Sequence, residues 1–92
     1  MRSKVILKGH IIVSENELNV VKEALVHHKK LTSEEAGCLV FDVTQCQINR
    51  YRFDVYEEFV DSASFEFHQQ RVKASDWGRV SINVERYYKI IH

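Results

Sequence analysis

The chain has 92 residues, 45% of them hydrophobic and 28% charged, an ordinary composition for one globular domain spanning 1–92 with no room for a second core. Thirteen Lys and Arg balance thirteen Asp and Glu, so the formal net charge is zero. That balance argues against a nucleic-acid partner, which usually meets a basic excess, and leaves little long-range repulsion between copies. No apolar run approaches the ~18 residues needed to span a bilayer, so no membrane partner is expected.

Met1, Arg2, Ser3 and Lys4 precede a short apolar stretch, but Lys8 and His10 interrupt it and no cleavage site follows. It reads as a strand rather than a leader, and the cytosol is the expected location. Cys38 and Cys46, placed on one extended strand, would lie roughly 26 Å apart, against the ~7 Å that a disulfide allows. Two free thiols acting as small hydrophobes, in a reducing compartment, are expected.

Val5 to Val13 alternates, with Val5, Leu7, Ile11 and Val13 on one face, and predicts a half-buried strand. Ser14 through Glu17 has the form of a capping box, with the Ser14 hydroxyl accepting from a free amide. Leu18, Val21 and Leu25 then predict a helix to about Lys30, which Thr32 to Glu35 either continue or follow as a separate last turn, with Gly37 as the stop. Cys38 to Gln45 reads as a second strand, with Leu39, Phe41 and Val43 on one face. A turn over Gln47 to Arg50 follows, where Asn49 tolerates positive φ. Tyr51 to Phe59 is the third strand, with Phe53, Val55, Glu57 and Phe59 on one face, hairpinned to the second. Asp61 caps a second helix through about Arg71, which carries Phe65, His68 and Val72 on one face. From Ser75 the pattern is ambiguous; a helix to about Val84 and a last strand from Arg86 to Ile91 are favoured.

The order β-α-β-β-α-β is the ferredoxin-like pattern, an α+β fold with an antiparallel four-stranded sheet and helices on one face. The other face mixes Ile6, Ile12, Val40 and Tyr56 with charges. It is too apolar for water, and a second copy of the sheet would cover it.

No Gly-x-Gly-x-x-Gly, phosphate-binding loop or Gly-x-Ser-x-Gly is present, and no histidine pair has metal-ligand spacing. His27 and His28 are adjacent, so they point to different sides, and a solvated helix face is the reading favoured for both. Glu57 lies on an apolar face, and a buried carboxylate must be paired or hold its proton. His68 is its natural partner, which a carboxylate would orient and make more basic. The two would form an acid/base unit suited to proton abstraction. On spacing alone, a tie between helix and sheet explains them as simply. Trp77 is either a core anchor or a flat wall for a planar substrate, and Arg71 either a surface residue or an anion binder.

Glu35-Ala36-Gly37-Cys38-Leu39 resembles the Glu-x-Gly-Cys segment that opens the second strand in the antibiotic biosynthesis monooxygenase family. Val55-Tyr56-Glu57-Glu58-Phe59 is similar to that family's Glu-x-Trp strand end, with Phe59 in the tryptophan's place. Ala63 through His68 is similar to its Ala-Leu-x-x-His helix, and Trp77 falls where a Phe or Tyr commonly follows. The resemblance implies a ferredoxin-like domain that dimerises through its sheets into an α+β barrel. It also implies oxidation of a phenol or quinol by O₂ without metal, flavin or other cofactor. On that reading His68 and Glu57 are catalytic, and Trp77, Phe59, Phe65 and Arg71 contact substrate. The same family includes an isomerase of autoinducer-2 degradation and haem-degrading enzymes. An isomerase of a small carbonyl or phosphorylated metabolite, and a non-catalytic binding module, therefore stand as alternatives. A filled space between helices and sheet would favour the last.

Overall fold

The alternation read at the start of the chain has a direct structural consequence. In the computed structural model, which describes residues 3–92, strand β1 (Val5–Ile12) buries Val5, Leu7 and Ile11. Met1 and Arg2, where the argument against a leader begins, lie outside the described residues. Helix α1 (Leu18–Ser33), strands β2 (Cys38–Gln45) and β3 (Arg52–Phe59), helix α2 (Ser62–Lys73), the single turn α3 (Asp76–Val80) and strand β4 (Glu85–Ile91) follow. The sheet order is β2-β3-β1-β4, and every neighbouring pair is antiparallel. This is the ferredoxin-like α+β fold.

The register sets which side chains meet. Leu7 lies opposite Glu57 on β3 and Ile90 on β4, while Gly9 lies opposite Val55 and Tyr88. Gly9 has a positive φ of 155°, and a Cβ there would strike the Tyr87 carbonyl, so only glycine admits β4 at this distance. The helix-facing side of β3 is buried without interruption and that of β1 everywhere but at the half-buried Gly9, and Glu57 is its one ionisable member. Against it pack Leu18, Val21 and Leu25 of α1, Phe65 of α2 and Trp77 of α3.

Several local expectations are corrected. Ser14 makes no cap to a free amide; its hydroxyl donates to Glu17 Oε1 (3.0 Å), and Glu15–Glu17 is a 3-10 turn ahead of α1. Of the two readings for the stretch after Lys30, the helix continues, as far as Ser33, because its buried stripe runs on through His28 and Thr32. Gly37 is not a left-handed stop. A Cβ on it would collide with the Ser64 side chain, so its small size lets α2 approach. Asn49 does not take positive φ; its Oδ1 accepts from Tyr51 N (3.0 Å) and closes the hairpin turn as a side-chain mimic of backbone. A register shift between Cys38 and Val40 makes Leu39 the extra residue of a bulge and turns it outward, away from Phe41 and Val43. The last helix stops at Val80, not Val84. Ser81 is fully buried and donates its hydroxyl to the Trp77 carbonyl, and Arg86 binds back to the Ser81 carbonyl (3.0 Å), which starts β4 at Glu85.

Candidate active site

The parity of β3 carries Glu57 inward, and the Asp61 cap fixes where α2 begins. Asp61 Oδ1 accepts from Ser64 N (2.8 Å), so the turns of α2 bring Phe65 and His68 down onto the sheet. His68 Nε2 then stands 3.7 Å from Glu57 Oε1, with both side chains almost wholly buried. This is longer than a hydrogen bond. The expected pair is therefore adjacent, and its nature differs from an ion pair. Burial, reinforced by the Glu35 carboxylate, pushes the Glu57 carboxyl up to about 8, so it keeps its proton at neutral pH. Burial also lowers His68 below the ordinary imidazole value; the Glu35 hydrogen bond and charge oppose this, and Arg71 adds to it. The expectation that a carboxylate makes His68 more basic is thus outweighed by desolvation.

The hydrogen-bonded partner of His68 is Glu35, in the loop between α1 and β2. His68 Nδ1 lies 2.9 Å from Glu35 Oε2, and Arg71 Nε donates to the same oxygen (2.7 Å). Arg71 also donates from Nη2 to Thr32 Oγ1 (2.8 Å). Arg71, expected to meet substrate, is thus engaged by Glu35 and Thr32. In the sequence Glu35 stands only as the first residue of the Glu-x-Gly-Cys segment, and that segment is the signal that points to it.

His28 is the second residue that sequence reasoning placed wrongly. It is 4% exposed and stacks on Trp77, with ring centroids 5.0 Å apart and planes 7° from parallel. Burial, together with the charges of His68 and Arg71, drives it down to about 3, so it stays neutral. His27 beside it is exposed.

Of the hollows that border this cluster, three are lined by α2. An inner cavity of about 60 Å³ is lined by Glu57, His68, His28, Trp77, Arg86 and Tyr88, with Leu7, Gln69 and Val72. It shares Gln69, Val72 and Arg86 with an outer mouth of about 430 Å³ that adds Lys73, Gly78 and Ile82. A separate outer groove of about 620 Å³ runs along Leu31, Glu34 to Gly37, Phe67 and Arg71. Phe59 and Phe65 line none of the three. Their rings contact each other at 5.4 Å, and Phe59 backs His68 at 4.9 Å, so they support the imidazole from behind. Trp77 walls the inner cavity.

The sequence profile of the antibiotic biosynthesis monooxygenase family matches residues 10–79, the span from β1 to α3 that builds this cluster. The chain belongs to that family. None of the curated proteins matches it in sequence. Among solved structures, a conserved protein of unknown function from Bacteroides thetaiotaomicron superposes with a TM-score of 0.79 at 17% identity, covering 99% of this chain and 98% of that one. Candidate antibiotic biosynthesis monooxygenases are similar too. The one from Deinococcus radiodurans has a TM-score of 0.74 at 20% identity, with 96% and 90% covered. The one from Nitrosomonas europaea has a TM-score of 0.73 at 17% identity, with 99% and 88% covered. At these identities the likeness is one of fold. Among the described residues, no helix is long and apolar enough to cross a membrane.

Proposed function

We propose that the protein is a cofactor-independent monooxygenase that oxidises a small phenol or quinol with O₂. The observation that carries this reading is a neutral imidazole, His68, beside a protonated carboxyl, Glu57, in a buried cavity that opens to a wider mouth. A base of this kind takes the phenolic proton without first having to shed its own. The resulting phenolate is electron-rich and serves as the reductant of O₂. One oxygen atom forms the new C–O bond, the other leaves as water, and the ring is left as a quinone.

The inner cavity is smaller than the ~150 Å³ that holds benzene in an apolar protein interior, so taken alone it favours the binding-only alternative. The mouth supplies the missing room: the ring sits over Val72 and Ile82, and only its reacting hydroxyl enters between Trp77 and His68. Glu57 returns a proton to the product side, and Trp77 excludes water. Lys73 and Arg86 at the mouth favour a substrate with an anionic substituent. They also sustain the second reading, an isomerase of a small anionic carbonyl compound that uses the same acid and base without oxygen.

The sheet's outer face, with Val40, Tyr87 and Ile91 each at least 37% exposed, would meet a second copy of the chain. A sedimentation measurement that finds only monomer removes that contact. The free Cys38 thiol, which burial pushes up to about 11, is in keeping with a cytosolic protein.

Oxygen uptake with a reduced quinone tests the activity. His68→Ala is expected to lower kcat by roughly 10²- to 10⁴-fold. Equal rates for the variant would remove His68 from the mechanism, and turnover that continues without oxygen would replace the monooxygenase by the isomerase.

A further inference from the structure

We propose that Glu35 is a positioning residue that decides which nitrogen of His68 is the base, holding the imidazole proton on Nδ1 and leaving the Nε2 lone pair toward Glu57 and the inner cavity. The inference rests on the reading of His68 as the base, and it follows from who can donate to whom. Glu35 Oε2 receives Arg71 Nε at 2.7 Å, and a guanidinium is a donor only. An oxygen already held by a cation is an acceptor. The 2.9 Å contact from the same oxygen to His68 Nδ1 is therefore made by an N–H on the histidine. A neutral imidazole carries one proton, so Nε2 carries none.

The two carboxyls around His68 are thereby unlike. Glu35 is paired with Arg71, which Thr32 anchors in turn at 2.8 Å. Glu57 has no Lys or Arg within ion-pair distance among the described residues, and its only such neighbour is His68 itself at 3.7 Å. The chain of contacts Thr32–Arg71–Glu35–His68–Glu57 spans α1, α2, the α1–β2 loop and β3, so the orientation is fixed by three packed elements and a loop. The other titratable or charged groups facing the cavity are His28 from α1 and Arg86 and Tyr88 from β4.

Long-range ¹H–¹⁵N correlation spectra of the intact protein, without substrate, test this. At pH 7 the wild type should show His68 protonated on Nδ1 and bare on Nε2. The Nε2–H tautomer in the wild type overturns the proposal, and that spectrum needs no variant to fold. In Glu35→Gln the amide can donate as well as accept. The tautomer should become mixed, and the His68 pKa should fall because Glu35 supports the imidazolium. kcat should fall by roughly 10²-fold or more, with little change in KM, since Glu35 does not touch substrate. An unchanged tautomer and pKa in this variant also overturn the proposal. If Glu35→Gln does not fold because the half-buried Arg71 loses its carboxylate, Glu35→Gln/Arg71→Met removes the ion pair, and the His68 tautomer is read in the same way. The spectra do not depend on turnover. If the wild-type tautomer and the Glu35→Gln shift are as expected but His68→Ala keeps full activity, the catalytic reading fails and the positioning stands.

Discussion

Of the hollows that border α2, the outer groove and the inner cavity differ in opposite senses. The outer groove holds about 620 Å³ and the inner cavity about 60 Å³. The groove is lined by Phe67, Leu31 and alanines, and its buried carboxylate, Glu35, is paired to Arg71. The cavity is lined by two neutral histidines and by Glu57, a carboxyl with no Lys or Arg at ion-pair distance among the described residues. Volume reports where side chains fail to fill space; reactivity reports where an ionisable group is desolvated and left without a counter-charge. Those two conditions separate here, and on the function proposed above the smaller hollow is the chemical one.

The largest effect that would break this comparison is on stability. Trp77 is 9% exposed and joins the cavity wall to the α1 stripe through His28. Trp77→Ala should cost about 3–5 kcal/mol in urea denaturation, as for other large aromatic truncations in cores. A cost below about 1 kcal/mol would mean that the cavity wall is loose and that its small volume carries no information.

Next is the pH dependence contributed by Glu57. Its folded value of about 8 lies above the ordinary 4.5, so between those values the folded chain holds a proton that the unfolded chain has released. Stability from this group is full below pH 4.5 and is lost as pH rises to about 8, by on the order of a few kcal/mol. His28 acts oppositely: its value of about 3 makes stability fall as pH drops from 6.5 toward 3. Wild type should therefore weaken from pH 6.5 to pH 8, and Glu57→Gln should be flat over that interval. Parallel curves for the two proteins would show that Glu57 is solvated and unlike the carboxyl described above.

Element order, strand parity and the inward Glu57 beside His68 were legible in the sequence, because period-two alternation survives without knowledge of tertiary contacts. The stripe Leu18, Val21, Leu25, continued at the same spacing, reaches His28 and Thr32, but the adjacent pair His27 and His28 reads as a solvated face unless the stripe is followed through it. Glu35 was illegible as a site residue for a different reason. It sits in a loop without periodicity, and its partners His68 and Arg71 lie 33 and 36 residues away. The bulge at Leu39 was invisible too, since one extra residue leaves the local pattern intact and is exposed only by the register with β3.

The smallest expected effect tests the groove directly. Phe67 is 62% exposed and is the groove's aromatic residue, on the outward side of α2 from Phe65 and His68. Removing an exposed side chain of this kind shifts stability within about 0.5 kcal/mol. Phe67→Ala should also leave kcat and KM unchanged, because the groove meets the cavity cluster only through the Glu35–Arg71 pair, which Phe67 does not join. A groove that bound the substrate ring would lose stacking and apolar contact worth about 1–3 kcal/mol, raising KM by roughly 10-fold or more with kcat preserved. That outcome would move the substrate to the outer side of α2 and reverse the assignment of the two hollows. Arg71 is a poorer probe of the same question, since changing it releases Glu35 and alters His68 from either side.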